Sequence, residues 1–242
     1  MRRPVQVVLL ALTGIGLLHA ALFTDLYLRY VKEGLRPLLI VSGVTLLLLA
    51  LAGATLDREH ARHTSHAHGH DHTGAPRVAW LLYLPALSLL LYAPPALGAY
   101  TAARSNDKAV REQKGFDPLP ATSPLPMTLT DFTTRVQQDH ELAIMGRTVR
   151  MTGFVSPAGR GGGWYLTRII FTCCAADSQT VKVRMYGTEV PPANTWLAVT
   201  GTWHHKGRLG TRAAEAALDV RSSEHIPPPV NAYTDDLPLT PS

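Results

Sequence analysis

The sequence predicts an α+β membrane protein, three transmembrane helices followed by a small five-stranded barrel of the oligonucleotide/oligosaccharide-binding (OB) type. Two observations predict this. Three long apolar runs occupy the N-terminal half, and five short alternating segments, broken by glycine and proline turns, follow in the C-terminal half. Averaged over 242 residues, 46% hydrophobic and 17% charged content is unremarkable, so the distribution carries the signal.

The apolar runs are Val5 to Tyr27, Leu35 to Leu56 and Val78 to Tyr100. Each is long enough, at about 1.5 Å per residue, to cross a hydrocarbon core of about 30 Å. The first contains His19 and ends near Asp25; its alternative reading is a cleaved signal peptide, with Arg2 and Arg3 before an apolar core. A short connection, Arg29 to Gly34, makes the first two runs an antiparallel hairpin. The third contains Pro85, Pro94 and Pro95, which membrane helices tolerate where neighbours satisfy the freed carbonyls. Residues 1–102 are thus the expected transmembrane region of a multi-pass protein in a bacterial cell membrane, with a polar loop at 57–77.

Up to Gly115 there are 12 Lys/Arg against 7 Asp/Glu, and from Phe116 onward 11 of each. The basic excess therefore flanks the apolar runs, where anionic headgroups attract it, and it splits too evenly to assign an orientation. A neutral soluble half lacks the basic patch that nucleic acid requires.

Residues 103–126 read as a proline-rich linker, 127–226 as the β domain and 227–242, with Pro227-Pro228-Pro229 and Asp235-Asp236, as a disordered tail. The domain opens with a short helix capped by Thr130 or Asp131 and carrying Phe132, Val136 and Leu142. Strands follow at Thr148 to Val155, Trp164 to Thr172, Val181 to Met185, Trp196 to His204 and Leu218 to Ser222. Glycines inside two of them, Gly153 and Gly201, suit a strongly coiled barrel.

Chemistry concentrates in two places. Six of the eleven histidines, His60, His63, His66, His68, His70 and His72, lie with Asp71 in one polar stretch. Neutral imidazole suits zinc, nickel, copper or cobalt, and a loop can fold several such groups round one ion; the bland alternative is a solvated low-complexity linker. The second place holds the only cysteines, Cys173 and Cys174, followed by Asp177. These can ligate a metal with a histidine such as His204 or His205, form a vicinal disulfide, or simply pack inside the domain. Adjacent strand residues point to opposite faces, so joint ligation needs a bulge or turn. Gly159-Arg160-Gly161-Gly162-Gly163 lacks the Lys-Ser/Thr of a phosphate loop and reads as a hairpin turn. No Ser/His/Asp motif, spaced carboxylate pair or HExxH appears, so no enzyme is expected.

Several stretches together resemble a bacterial family of membrane permease subunits, the YcgQ-like family. They are Arg36-Pro37-Leu38, the histidine-rich loop, the run ending Ala93-Pro94-Pro95-Ala96-Leu97-Gly98-Ala99-Tyr100, Phe171-Thr172-Cys173-Cys174-Ala175-Ala176-Asp177, and Thr195-Trp196-Leu197-Ala198-Val199-Thr200-Gly201. The resemblance implies pairing with a separate polytopic permease, and it centres on Cys173, Cys174 and Asp177. The resulting expectation is an accessory permease subunit that helps capture or deliver a divalent transition metal, zinc foremost, through the histidine loop while the C-terminal barrel docks or senses. The alternatives are a membrane-anchored redox or envelope-stress sensor using the cysteine pair, and a non-catalytic scaffold for a partner membrane protein.

Overall fold

The computed structural model describes residues 3–63, 96–105, 112–113, 115–159 and 162–237. They form two compact units, one holding 1–27 with 33–96 and the other 28–32 with 97–242.

In the first unit, α1 (Arg3–Leu22) packs on α2 (Arg36–His63). Small residues set the approach: a β-carbon on Gly14 would sit 2.9 Å from the carbonyl oxygen of Gly43, and one on Gly43 would meet Leu18 at 2.8 Å. Side chains are absent there so that the helix backbones can close, the usual way helices associate without a hydrophobic driving force. Val8, Leu12, Ile15, Leu38, Val41 and Leu48 remain exposed on the outer faces. Glu33–Thr55, 23 residues, is the one helical stretch among the described residues that is long and apolar enough to cross a membrane. The apolar part of α1, Gln6–Leu22, is shorter. It stops before the expected Tyr27 because Phe23 to Asp25 turn, and Leu26–Arg29 is a 3-10 helix. The Arg36 Nε–H donates to the Ala21 carbonyl at 2.8 Å, satisfying one of the acceptors that a helix end leaves open. Of the expected third span, 78–95 lies outside the described residues. Its end departs from expectation: Ala99–Arg104 forms α3, whose Ala99 and Ala102 are buried against Phe154, Ile169 and Phe171 of the β unit.

The second unit contains β1 (Leu125–Pro126), α4 (Leu129–Gln138), β2 (Thr148–Pro157), β3 (Trp164–Ile170), β4 (Gln179–Tyr186), β5 (Trp196–Trp203) and β6 (Ala217–His225). The five long strands fall where the alternation placed them, but the sheet has six strands rather than five, because the short β1 adds a parallel pairing to β2. β2 is hydrogen-bonded to β3 on one side and β5 on the other, both antiparallel. β3 pairs antiparallel with β4, β4 parallel with β6, and β6 antiparallel with β5, so the neighbours form a closed circuit. Register slips between Thr200 and Gly201, where a β-carbon would lie 2.2 Å from the Asp219 carbonyl oxygen. Only glycine fits that close approach. The core is Phe132, Val136, Met151, Trp164, Leu166, Val183, Val199 and Leu218 with their neighbours.

The N-cap of α4 is Thr128, whose Oγ1 accepts from the Asp131 N–H at 3.0 Å, so Thr130 and Asp131 occupy the first turn. The segments expected to be linker and disordered tail pack on the domain. Leu119 and Leu125 join the core, and the Arg147 guanidinium donates to the carbonyls of Pro120 and Thr122. Tyr233 stacks on Phe171 with centroids 4.4 Å apart, and its carbonyl accepts from the Phe171 N–H. Asp235 accepts from the N–H groups of Leu129 and Thr130 at 3.2 and 2.8 Å, capping α4 with a carboxylate that also opposes its dipole. Proline composition obscured this, because isolated apolar residues between prolines supply burial while arginines satisfy the carbonyls.

Replacing Tyr233 by alanine in the full chain removes a buried aromatic and should lower unfolding stability by about 3 kcal/mol. Asp235→Ala should cost about 1 kcal/mol. Urea denaturation followed by tryptophan fluorescence checks both, and unchanged midpoints would show the tail to be a bystander.

Candidate functional site

The Cys173–Cys174–Asp177 turn joins the end of β3 to the start of β4. Phe171 is buried, and Ala175–Asp177 makes one 3-10 turn with Cys174 as its N-cap residue. Asp177 builds this turn. Its Oδ1 accepts from the N–H groups of Thr172 and Cys174, each at 3.1 Å, and its Oδ2 accepts from the Cys173 N–H at 2.7 Å. Three backbone donors left without partners where the strand ends thus converge on one carboxylate.

A strand would send the two cysteine side chains to opposite faces, but the turn brings their Sγ atoms to 3.6 Å. Both thiols are free, Cys173 exposed and Cys174 half-buried. The Sγ atoms and a carboxylate oxygen of Asp177 all lie within 4.8 Å of one another. Among the described residues this is the one cluster of three metal-ligating side chains. Hydrogen bonding to the Asp177 carboxylate, then to the Cys174 sulfur, keeps the Cys173 thiol protonated and pushes its pKa up to about 11. The same thiol, seconded by the backbone N–H groups, holds the Asp177 carboxyl below its ordinary value. Its depressed pKa means that the carboxylate's hold on the turn is present at neutral pH and is lost only as acid brings the pH down through that lowered value.

A metal ion held here would have two sulfur ligands and one oxygen ligand, and both the Cys173 and the Cys174 thiol would have to give up a proton to it. Solvent reaches the exposed side, which leaves a coordination position for water or an incoming group, as in zinc sites that are not purely structural. Asp177 has a structural role in any case, since it closes the turn with no ion bound.

The turn is also held from a direction the sequence did not signal. Val31 forms an antiparallel bridge with Cys174; the Lys32 N–H donates to the Cys173 carbonyl at 2.9 Å and the Ala175 N–H to the Tyr30 carbonyl at 2.8 Å. Residues 28–32 therefore belong to the β unit rather than serving only as a link between helices.

The histidines considered as further ligands are elsewhere. His204 stacks on Tyr186 with centroids 4.0 Å apart and its Nδ1 lies 2.7 Å from Asp219 Oδ1. His205 sits against Trp203. Tyr186 ends β4 whereas the cysteine turn precedes its start, a separation of roughly 20 Å at about 3.3 Å per residue. Of the histidine-rich stretch, His60 and His63 fall in the last turns of α2, and His66, His68, His70, Asp71 and His72 lie outside the described residues.

Residues 125–234 match the family model described as the DUF1980 C-terminal domain. The matched stretch runs from β1 through the cysteine turn to the tail residue Thr234. No curated protein matches the chain, and no solved structure matches it.

Alkylation of the metal-free protein should follow the thiolate fraction. Cys173 should react slowly at pH 8, with a midpoint near pH 11, and Asp177→Asn should speed its reaction by ~10-fold or more by removing the carboxylate. Peptide mass spectrometry of iodoacetamide labelling across pH reads this out; equal rates in both proteins would show that Asp177 does not control the thiol.

Proposed function

We propose that this protein is an accessory subunit of a membrane permease that captures a divalent transition metal, zinc foremost, at Cys173, Cys174 and Asp177. The observation that carries the reading is the spacing of the donors. With metal–sulfur bonds of about 2.3 Å, two sulfurs 3.6 Å apart subtend about 100° at the ion, close to a tetrahedral angle. A linear two-thiolate site, as copper(I) favours, needs the sulfurs twice the bond length apart. The permease partner is an implication of the family resemblance, and three donors with an open side suit an ion in transit better than one locked in a structural site.

The 3.6 Å contact also favours a second reading, a vicinal disulfide switch. The raised Cys173 pKa opposes thiol–disulfide exchange and sulfur ligation alike, since both use the thiolate, and a metal ion would offset it by displacing the proton.

The expected test is cobalt(II) titration of the detergent-purified chain, followed by competition with zinc. One ion should bind at the turn with thiolate-to-cobalt charge-transfer absorption, lost in Cys173→Ser, Cys174→Ser and weakened about tenfold in Asp177→Asn. Absence of that absorption removes the metal reading at this site. Co-purification of the chain from native membranes with a polytopic partner, with elemental analysis of the complex, bears on the permease.

The finer architecture follows the same reading. An OB-like barrel is supported by the circuit β2-β3-β4-β6-β5-β2 with its single parallel contact between β4 and β6. Three crossings are supported by parity. Residues 28–32 pair with 173–175, so both lie on one side of any membrane that α2 crosses. The chain between Arg36 and Leu97 then crosses an even number of times, and Val78 to Tyr100 supplies the apolar run for the return. In a Cys173→Ser, Cys174→Ser background, impermeant maleimide should label Gly34→Cys from the same side as a cysteine restored at 173, and Thr64→Cys from the other. Labelling of all three from one side would remove the three-crossing reading.

A further inference from the structure

A cavity of about 800 Å³ lies in the β unit, away from the cysteine turn, where β2, β3, β5 and β6 meet the tail. Its volume is within the range of small-molecule sites. Pro124, Pro126, Ala198, Ile226, Pro227 and Leu237 give it an apolar wall.

Into this apolar setting the fold places Arg168, only 5% exposed. Leu166, two residues earlier on β3, belongs to the hydrophobic core, whereas Arg168 brings to the same strand a charge that burial makes costly. Among the described residues its guanidinium makes three hydrogen bonds, all to uncharged acceptors: Nε to the Thr152 carbonyl at 2.9 Å, Nη2 to Thr152 Oγ1 at 2.7 Å and Nη1 to the Thr234 carbonyl at 3.3 Å. The Trp196 ring lies 4.8 Å from it. A guanidinium carries five N–H donors, so these bonds leave two. The cavity's other charges, among the described residues, are one ion pair and one carboxylate. Arg150 and Glu224 form an ion pair at 3.0 Å, and Asp236 accepts from the Thr234 hydroxyl. Asp235 and Asp236 act on Arg168 through space. A buried cation held by neutral dipoles beside an apolar wall is complementary to a ligand with an anionic head and an aliphatic body.

We propose that this cavity binds an amphiphilic anion, its carboxylate or phosphate head at Arg168 and its chain along the proline and aliphatic wall. The head can belong to a membrane lipid or to a free amphiphile; the chemistry is shared.

The experiment is calorimetric titration of the full chain, in discs of neutral phosphatidylcholine, with octanoate, octyl phosphate and octanol. At least one of the two anions should bind tenfold or more tighter than octanol. Arg168→Gln should abolish that preference. Because Arg168 also tethers Thr234, a second variant, Ala198→Phe, fills the cavity while leaving the arginine's hydrogen bonds in place, and should abolish anion binding too. Repeating the titration in discs containing phosphatidylglycerol separates the sources: lost octanoate binding identifies a lipid headgroup as occupant, unchanged binding a free amphiphile. Equal affinity for octanol and both anions, unaltered binding in Ala198→Phe, or no binding of any probe would overturn the proposal.

Discussion

The pairing of β2 along both of its edges is the constraint on which the β unit rests. One strand of ten residues, hydrogen-bonded to β3 and to β5, turns a meander into a closed circuit and leaves none of the five long strands with only one partner. Its inward residues, Met151 and Val155, are fully buried, while Thr152 on the other side supports Arg168. Closure fixes where strand ends emerge, and so fixes where the cysteine turn, the α4 cap and the tail can meet the sheet. The bulge at Gly201 belongs to the same constraint, since it adjusts the register of β6 on β5 while β5 stays paired with β2 on its other edge.

Much of this was legible in the residues, and what was missed has physical causes. Period-two alternation and turn residues located all five long strands, although β2 and β3 are buried on both faces over part of their length. The cysteine cluster was legible by residue type, yet its geometry was not. Nothing in Cys173-Cys174 announces that Asp177 will gather three N–H groups and fold the sulfurs together. His204 and His205 looked available as ligands because sequence does not show that they lie at the other end of β4. Proline-rich segments looked unstructured because their composition lacks periodicity, while Leu119, Leu125 and Tyr233, each isolated in sequence, carry their packing. The end of the third apolar run looked lipid-facing because alanine serves equally in a membrane and beneath a short helix such as α3.

Asp177 ties the site's architecture to its chemistry. A carboxylate occupied by backbone donors is positioned without help from a ligand, so on the proposed metal reading an ion would meet a preformed oxygen and two nearby sulfurs rather than order a loose loop. That would lower the entropy cost of capture. It also sets a tension, because the proton that Asp177 keeps on Cys173 would have to leave before sulfur could ligate, and metal uptake would then be coupled to proton release.

The bridge between Val31 and Cys174 bears on how the domain is delimited. The stretch that shares similarity with other proteins begins at Leu125, but two backbone hydrogen bonds of its cysteine turn are completed by Tyr30 and Lys32. Excised at the similarity boundary, the C-terminal module would expose a bare amide at Ala175 and a bare carbonyl at Cys173 to solvent, and its thiols would sit in an altered loop. Autonomy of folding and fidelity of the site are therefore separate properties here, because a site can depend on backbone partners that lie ninety-odd residues upstream of the module that displays it.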